Sequence, residues 1–192
     1  MAVPQSLTNR DLSGIFVMNK TLSGSTDELL RLQGVGWFIR KAIAIATITL
    51  YVKHYIDADG LEHIDIDQTL TGGIPGTTEK RELDWTERDH KDHIFGAVKG
   101  KDRRVKVDEL EDDFLKLGWT EDSLEDGLIQ SYSESDTARS GTSWIANQTW
   151  GFEMIQGEKR HSRHVKFTGP GGEDIEVTLV YDYLKPLPAS KK

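Results

Sequence analysis

His63-Ile-Asp-Ile-Asp-Gln-Thr-Leu70 alternates strictly, with Ile64, Ile66, Gln68 and Leu70 on one face and Asp65, Asp67 and Thr69 on the other. A period of two describes a β-strand with one dry face and one wet face. The preceding run, 46–55, repeats it: Ile48, Leu50, Val52 and His54 share a side opposite Thr47, Thr49 and Lys53. Asp57-Ala-Asp-Gly60 between the two runs is a turn signal, so they form a hairpin. Further runs of the same kind cover 14–22, 78–85, 93–99, 103–107, 128–133, 143–152, 160–167 and 175–184. Gly72-Gly73, Pro75-Gly76, Gly100, Gly141, Gly157 and Gly169-Pro-Gly-Gly172 punctuate them. About ten short strands predict an all-β fold, an antiparallel barrel or sandwich.

Helical signal is concentrated near the front. Ser25 or Thr26 caps a first short helix that Gly34 ends, and Trp37-Phe-Ile-Arg-Lys-Ala-Ile43 forms a second. Together, over about 26–44, they are placed as a lid across one end. A further helical patch is expected over 109–118, where Leu110, Phe114 and Leu117 recur at helical spacing. No internal repeat or linker divides the chain, so 1–192 reads as one domain, with a frayed tail at 185–192.

The 192 residues carry 24 basic and 32 acidic side chains, a net charge of −8, and no cysteine. That excludes a disulfide framework, a thiolate nucleophile and a cysteine-ligated metal or cluster. The acidity is local: within 108–126, nine acids face the single base Lys116, and the rest of the chain balances. With no basic stripe, nucleic acid is not an expected partner. The first ten residues lack the apolar core of a secretory signal, and 42–52 is too short to span a membrane. A soluble, cytoplasmic protein without a transmembrane segment is expected.

Leu12-Ser-Gly14-Ile-Phe16, followed by Asp27-Glu-Leu29-Leu30-Arg-Leu-Gln-Gly34-Val-Gly36-Trp-Phe-Ile-Arg40-Lys41-Ala, resembles the opening of the intracellular fatty-acid-binding proteins, of the lipocalin-like (calycin) superfamily. The resemblance continues through Asp84-Trp-Thr-Glu-Arg-Asp89 and covers about the first hundred residues. It implies an up-and-down β-barrel of about ten strands, a helix-turn-helix lid and an interior cavity for a small lipophilic molecule. The family's Arg-x-Tyr pair on the last strand is not kept: two before the tyrosine stands Leu179 or Tyr181, depending on register. The acidic segment at about 108–126 stands as an insertion, a surface for a protein partner or a solvated face.

Alternation assigns the lumen. Expected inward are Leu50, Val52 and His54; Gln68; Arg81 and Trp85; Trp144, Gln148 and Trp150; His161 and Arg163; and Tyr181 and Tyr183. For 93–99 either His93 and Phe95 or Ile94 and Val98 point in. Trp37 and Phe38 are lid candidates, contacting ligand or pinning the helices. Lys20, Arg31, Arg40 and Lys41 make that end basic. An inward arginine without a carboxylate partner calls for an acidic ligand, a partner or water.

His90-x-x-His93 and His161-x-x-His164 lie in strand-like sequence, where residues three apart point oppositely, so no metal is expected. No nucleophile elbow, phosphate loop or dinucleotide fingerprint occurs, and no cofactor is expected. Two functions follow. One is a carrier of a small lipophilic, oxygen-bearing ligand. The other is a cofactor-independent isomerase or cyclase of terpenoid- or polyketide-like substrates, using His54, His161, Arg163 and Tyr181 for acid–base catalysis and positioning.

Overall fold

The computed structural model describes residues 3–72 and 74–188. Met1, Ala2, Gly73 and the end of the expected frayed tail, 189–192, lie outside them. The last strand runs to Lys185, the first residue of that expected tail.

Ten antiparallel strands make one curled sheet: β1 (Gly14–Met18), β2 (Ile48–Ile56), β3 (Glu62–Leu70), β4 (Thr77–Glu82), β5 (Arg88–Asp92), β6 (Gly96–Val105), β7 (Leu128–Ser135), β8 (Ile145–Ile155), β9 (Glu158–Thr168) and β10 (Asp174–Lys185). Their order is β4-β3-β2-β1-β10-β9-β8-β7-β6-β5. The β2–β3 hairpin pairs Ile48 with Leu70 and His54 with Ile64. Its turn is closed by Asp57, whose carboxylate accepts from the Asp59 and Leu61 amides, and by Gly60 at φ +85°.

One pair of expected strands is redrawn. Residues 93–99 and 103–107 are not two strands: β6 runs through Gly100, and the turn falls at Gly96, φ +78°. The strand before it, β5, carries His90. His93 lies in the turn, whereas Ile94, Phe95 and Val98 reach the interior.

Between β1 and β2 stand α1 (Asp27–Leu32) and α2 (Trp37–Ile45). Leu30, Leu32 and Ile43 turn inward and attach the pair to the sheet. The basic character expected here is neutralised. Arg31 pairs with Glu28, Arg40 and Lys41 meet Asp27, and the Lys20 ammonium donates to the last carbonyls of α2, at Ile43 and Ala44.

Below the helices the interior divides. The half away from them is solid, filled by Phe16, Leu50, Val52, Ile64, Ile66, Ile129 and Phe152. Gly14 admits the Tyr183 ring there, which a Cβ would approach to 2.8 Å. The half beneath α1 and α2 is hollow.

The insertion is part of the fold. It forms a 3₁₀ turn (Val107–Glu109), α3 (Asp113–Lys116) and α4 (Glu121–Asp126) instead of one helix over 109–118. β8 extends past the start of β7, and the insertion satisfies its free edge: Thr120 donates to the Phe152 carbonyl and the Phe152 amide to the Ser123 hydroxyl. Leu110, Leu115 and Trp119 pack with Val105 and Leu128 in a third core cluster. Their cover buries the outer face of β9 as well, where His164 lies against Phe114 and Trp119. Trp119→Ala should therefore cost about 3–5 kcal/mol, as buried aromatic truncations do, measured by urea unfolding. A loss below about 1 kcal/mol would mean a loose appendage.

Candidate functional site

The hollow half is a cavity of about 250 Å³. Its wall is mostly apolar: Met18, Leu29, Leu30, Ile43, Ile48, Leu70, Ile94, Phe95, Val98, Ala146, Val165, Val177 and Leu179. The polar minority is Gln33, Gln68, Thr77, Glu79, Arg81, His90, Ser133, Trp144, Gln148, Arg163 and Tyr181, with Thr26 at the helix end.

Two of these are arginines in opposite circumstances. Arg81, on β4, donates to Glu79 through Nε and Nη2 and to Asp102 and Ser131 through Nη1. It thereby ties β4 to β6 and β7 across the gap where the sheet has no β4–β5 ladder among the described residues. Burial alone would lower its pKa, but the two acids outweigh that and hold it above the ordinary arginine value. Burial likewise pushes Glu79 up, and the Arg81 and Arg163 charges bring it below the usual carboxylate range. This arginine has its counter-ions.

Arg163 has none hydrogen-bonded to it among the described residues. It is 7% exposed, and its Nε and Nη2 are buried without a hydrogen-bond partner among the described residues. Its guanidinium lies 3.9 Å from the Trp150 ring, its cross-strand neighbour, and 5.3 Å from Tyr181. Arg81 approaches the same indole at 4.8 Å. Stacking on an aromatic face stabilises a desolvated cation by about 2 kcal/mol, yet leaves Nε and Nη2 unused.

His161 sits below Arg163 on the inner face of β9, ringed by Phe16, Phe152 and Tyr181. Burial, reinforced by Arg163, lowers its pKa to about 3, and a contact with the Gly151 carbonyl opposes the shift only in part. At neutral pH it is an uncharged ring whose Nδ1–H donates to Gly151 at 3.1 Å. Burial raises the Tyr181 phenol above its ordinary value, so it remains protonated.

Six residues expected in the lumen border the cavity: Gln68, Arg81, Trp144, Gln148, Arg163 and Tyr181. Trp150 lies beneath them as the platform for both arginines. Leu50, Val52 and Tyr183 point inward but belong to the solid half. His54 is also there and is fully engaged: Nδ1 accepts from the Leu12 amide and Nε2 donates to Glu62, itself bound by Arg104. Its alternation was correct, but its depth removes it from the cavity.

Trp85 is outside. β4 ends at Glu82, Trp85 takes a left-handed backbone (φ +60°), and its ring meets Lys101 and Arg103 at 4.5 Å each. Trp37 and Phe38 also face outward, 55% and 81% exposed and stacked edge-on against each other. At 100° per residue they lie off the face of α2 that carries Ile43. Glu79 was legible but unmarked, two residues before Arg81 on one strand face. His90 was read in strand-like sequence but weighed only as a metal ligand, and β5 carries it to the cavity wall.

His161 and His164 point to opposite faces of β9, as strand geometry requires. Among the described residues no cluster of three metal-ligating side chains occurs, and no helix is long and apolar enough to cross a membrane.

The position of His161 sets a pH dependence. The unfolded chain binds this proton near 6.5 and the folded one only near 3. Stability is therefore lost as pH falls below about 6.5, by up to about 1.4 kcal/mol per unit from this group. Imidazole ¹⁵N NMR should find His161 neutral, protonated on Nδ1, down to about pH 4. A midpoint near its ordinary value would contradict the burial described.

No family model matches the chain. Among solved structures it is similar in fold to the REP1-NXSQ fatty acid transporter (TM-score 0.52, 17% identity, 91% of this chain and 96% of that one). It is similar also to fatty-acid-binding protein 1 of Echinococcus granulosus (TM-score 0.53, 12% identity, 90% and 96%). In sequence it is 31% identical over 191 residues to the probable pericyclase scpY of Mollisia scopiformis, covering 99% of this chain and 98% of the relative. Over 189 residues it is 28% identical to the pericyclase pydY of an Acremonium species, covering 97% and 98%. On the fatty-acid-binding-protein fold, this chain belongs to the family of scpY and pydY.

Proposed function

We propose that the protein is a cofactor-independent cyclase of the pericyclic class. It holds an unsaturated, oxygen-bearing, lipophilic molecule beneath α1 and α2 in the folded shape from which a ring closes. The observation that carries this reading is the cavity wall: an apolar enclosure of about 250 Å³ bordered by a buried guanidinium, Arg163, whose Nε and Nη2 have no hydrogen-bond partner among the described residues.

A pericyclic step shifts bonding electrons around a ring in one event and needs no nucleophile and no proton relay. Its barrier falls when the reacting ends are held in contact. It falls further when a cation or N–H donor withdraws electron density from a carbonyl conjugated with the reacting double bonds. Arg163 supplies that donor, and Met18, Ile48, Leu179 and their neighbours supply the mould.

The acid–base variant of the cyclase reading loses support from the same residues. His54 is occupied by Glu62 and the Leu12 amide, and His161 is an uncharged ring with a carbonyl partner. The names of the two relatives favour the pericyclic form. The fold likeness to fatty-acid transporters and binding proteins favours a carrier, which would use the same cavity but release its ligand unchanged.

The two are separated by a linear trienone in which a tethered diene and enone can close on each other. Wild-type protein should accelerate closure over the buffer rate and yield one stereoisomer. Arg163→Met should lower kcat/KM by about 10²–10³-fold, the usual cost of losing one donor to a developing negative oxygen. Binding with background rate and an unselective product mixture would establish a carrier.

A further inference from the structure

Trp150 does more than support Arg163. Its indole N–H donates to Oε1 of Gln148 at 3.1 Å. Indole nitrogen is a donor only, so the amide must present its oxygen to Trp150 and turn its nitrogen away. Gln148 borders the cavity, and no acceptor among the described residues takes its N–H groups.

Gln148 and Trp150 lie two apart on β8, on one face, and Trp150 pairs directly across from Arg163 on β9. Gln148 and Arg163 are therefore diagonal neighbours on the cavity wall, a separation that long side chains bridge. Nearby, the Trp144 indole N–H is buried without a partner among the described residues, and Trp144 also borders the cavity. The β8–β9 wall thus offers donors. The one carboxylate on the cavity wall, Glu79, is engaged by Arg81.

We infer that Trp150 is a positioning residue that locks the Gln148 amide so that its nitrogen joins Arg163 in a donor-only pair, and that the substrate is a conjugated carbonyl compound or its enolate. This rests on the cyclase reading for the word substrate, but not for the donor pair. An oxygen that accepts from both groups is favoured.

Two dyes of nearly the same shape test the pair without a known substrate: anilinonaphthalene sulfonate, which carries acceptor oxygens, and N-phenylnaphthylamine, which lacks them. Wild-type protein should prefer the sulfonate. Gln148→Leu should weaken it about 3–10-fold, the range of one hydrogen bond, and leave the neutral dye unchanged. Trp150→Phe keeps an aromatic face beneath Arg163 but removes the N–H, and should reproduce that loss. The double variant should be no weaker than either single one.

If Trp150→Phe weakens both dyes alike, its role is packing and the inference fails. Losses that multiply in the double variant, or an unchanged sulfonate preference in Gln148→Leu, would overturn it equally. Retained neutral-dye binding verifies that the variants fold. A protein that shows this pattern and closes no ring keeps the donor pair and loses the cyclase reading. One that closes rings without the pattern does the reverse.

Discussion

A guanidinium taken out of water with no carboxylate hydrogen-bonded to it among the described residues is the constraint around which this interior is arranged. Arg163 leaves solvent at a cost of several kcal/mol that nearby charge ordinarily offsets. Here an indole face at 3.9 Å does part of that work. The surroundings follow from it. Arg163 helps to keep His161 uncharged and helps to hold Glu79 ionised, while Trp150 must remain flat beneath the cation.

Arg81 shows the contrast. On the opposite wall it is surrounded by Glu79, Asp102 and Ser131, and it links strands that share no ladder there. It closes the sheet where backbone hydrogen bonds do not. The two cations approach one tryptophan, but one stabilises the enclosure while the other leaves its donors for an occupant. The insertion contributes from outside: by covering β9 with Leu115, Phe114 and Trp119, it buries the strand that carries Arg163 on both faces.

Much of this was legible in alternation. The inward sets of β2, β8 and β9 follow from period two alone, including Gln148, Trp150 and Arg163 at the site. Alternation reports which face a side chain takes, not how deep the barrel is filled. His54 and Arg163 look equivalent in sequence, yet one is held between Glu62 and the Leu12 amide and the other borders the hollow. Gly100 looked like a break because glycine is common in turns, but an extended strand tolerates it, and the real turn used Gly96. Trp85 was lost to one left-handed residue beyond the strand end. The helical insertion was fragmented by its fit to the edge of β8, a tertiary demand that local spacing does not encode.

The central claim is that Arg163 polarises an oxygen placed in the cavity, and the carbonyl stretch of a bound conjugated aldehyde reports that directly. Infrared difference spectra of trans-cinnamaldehyde should show its band moving to lower frequency on binding the wild-type protein. In Arg163→Met the band should sit where hydrocarbon solvent puts it. A wild-type band at the hydrocarbon position, or the same downward shift in both proteins, would contradict the account.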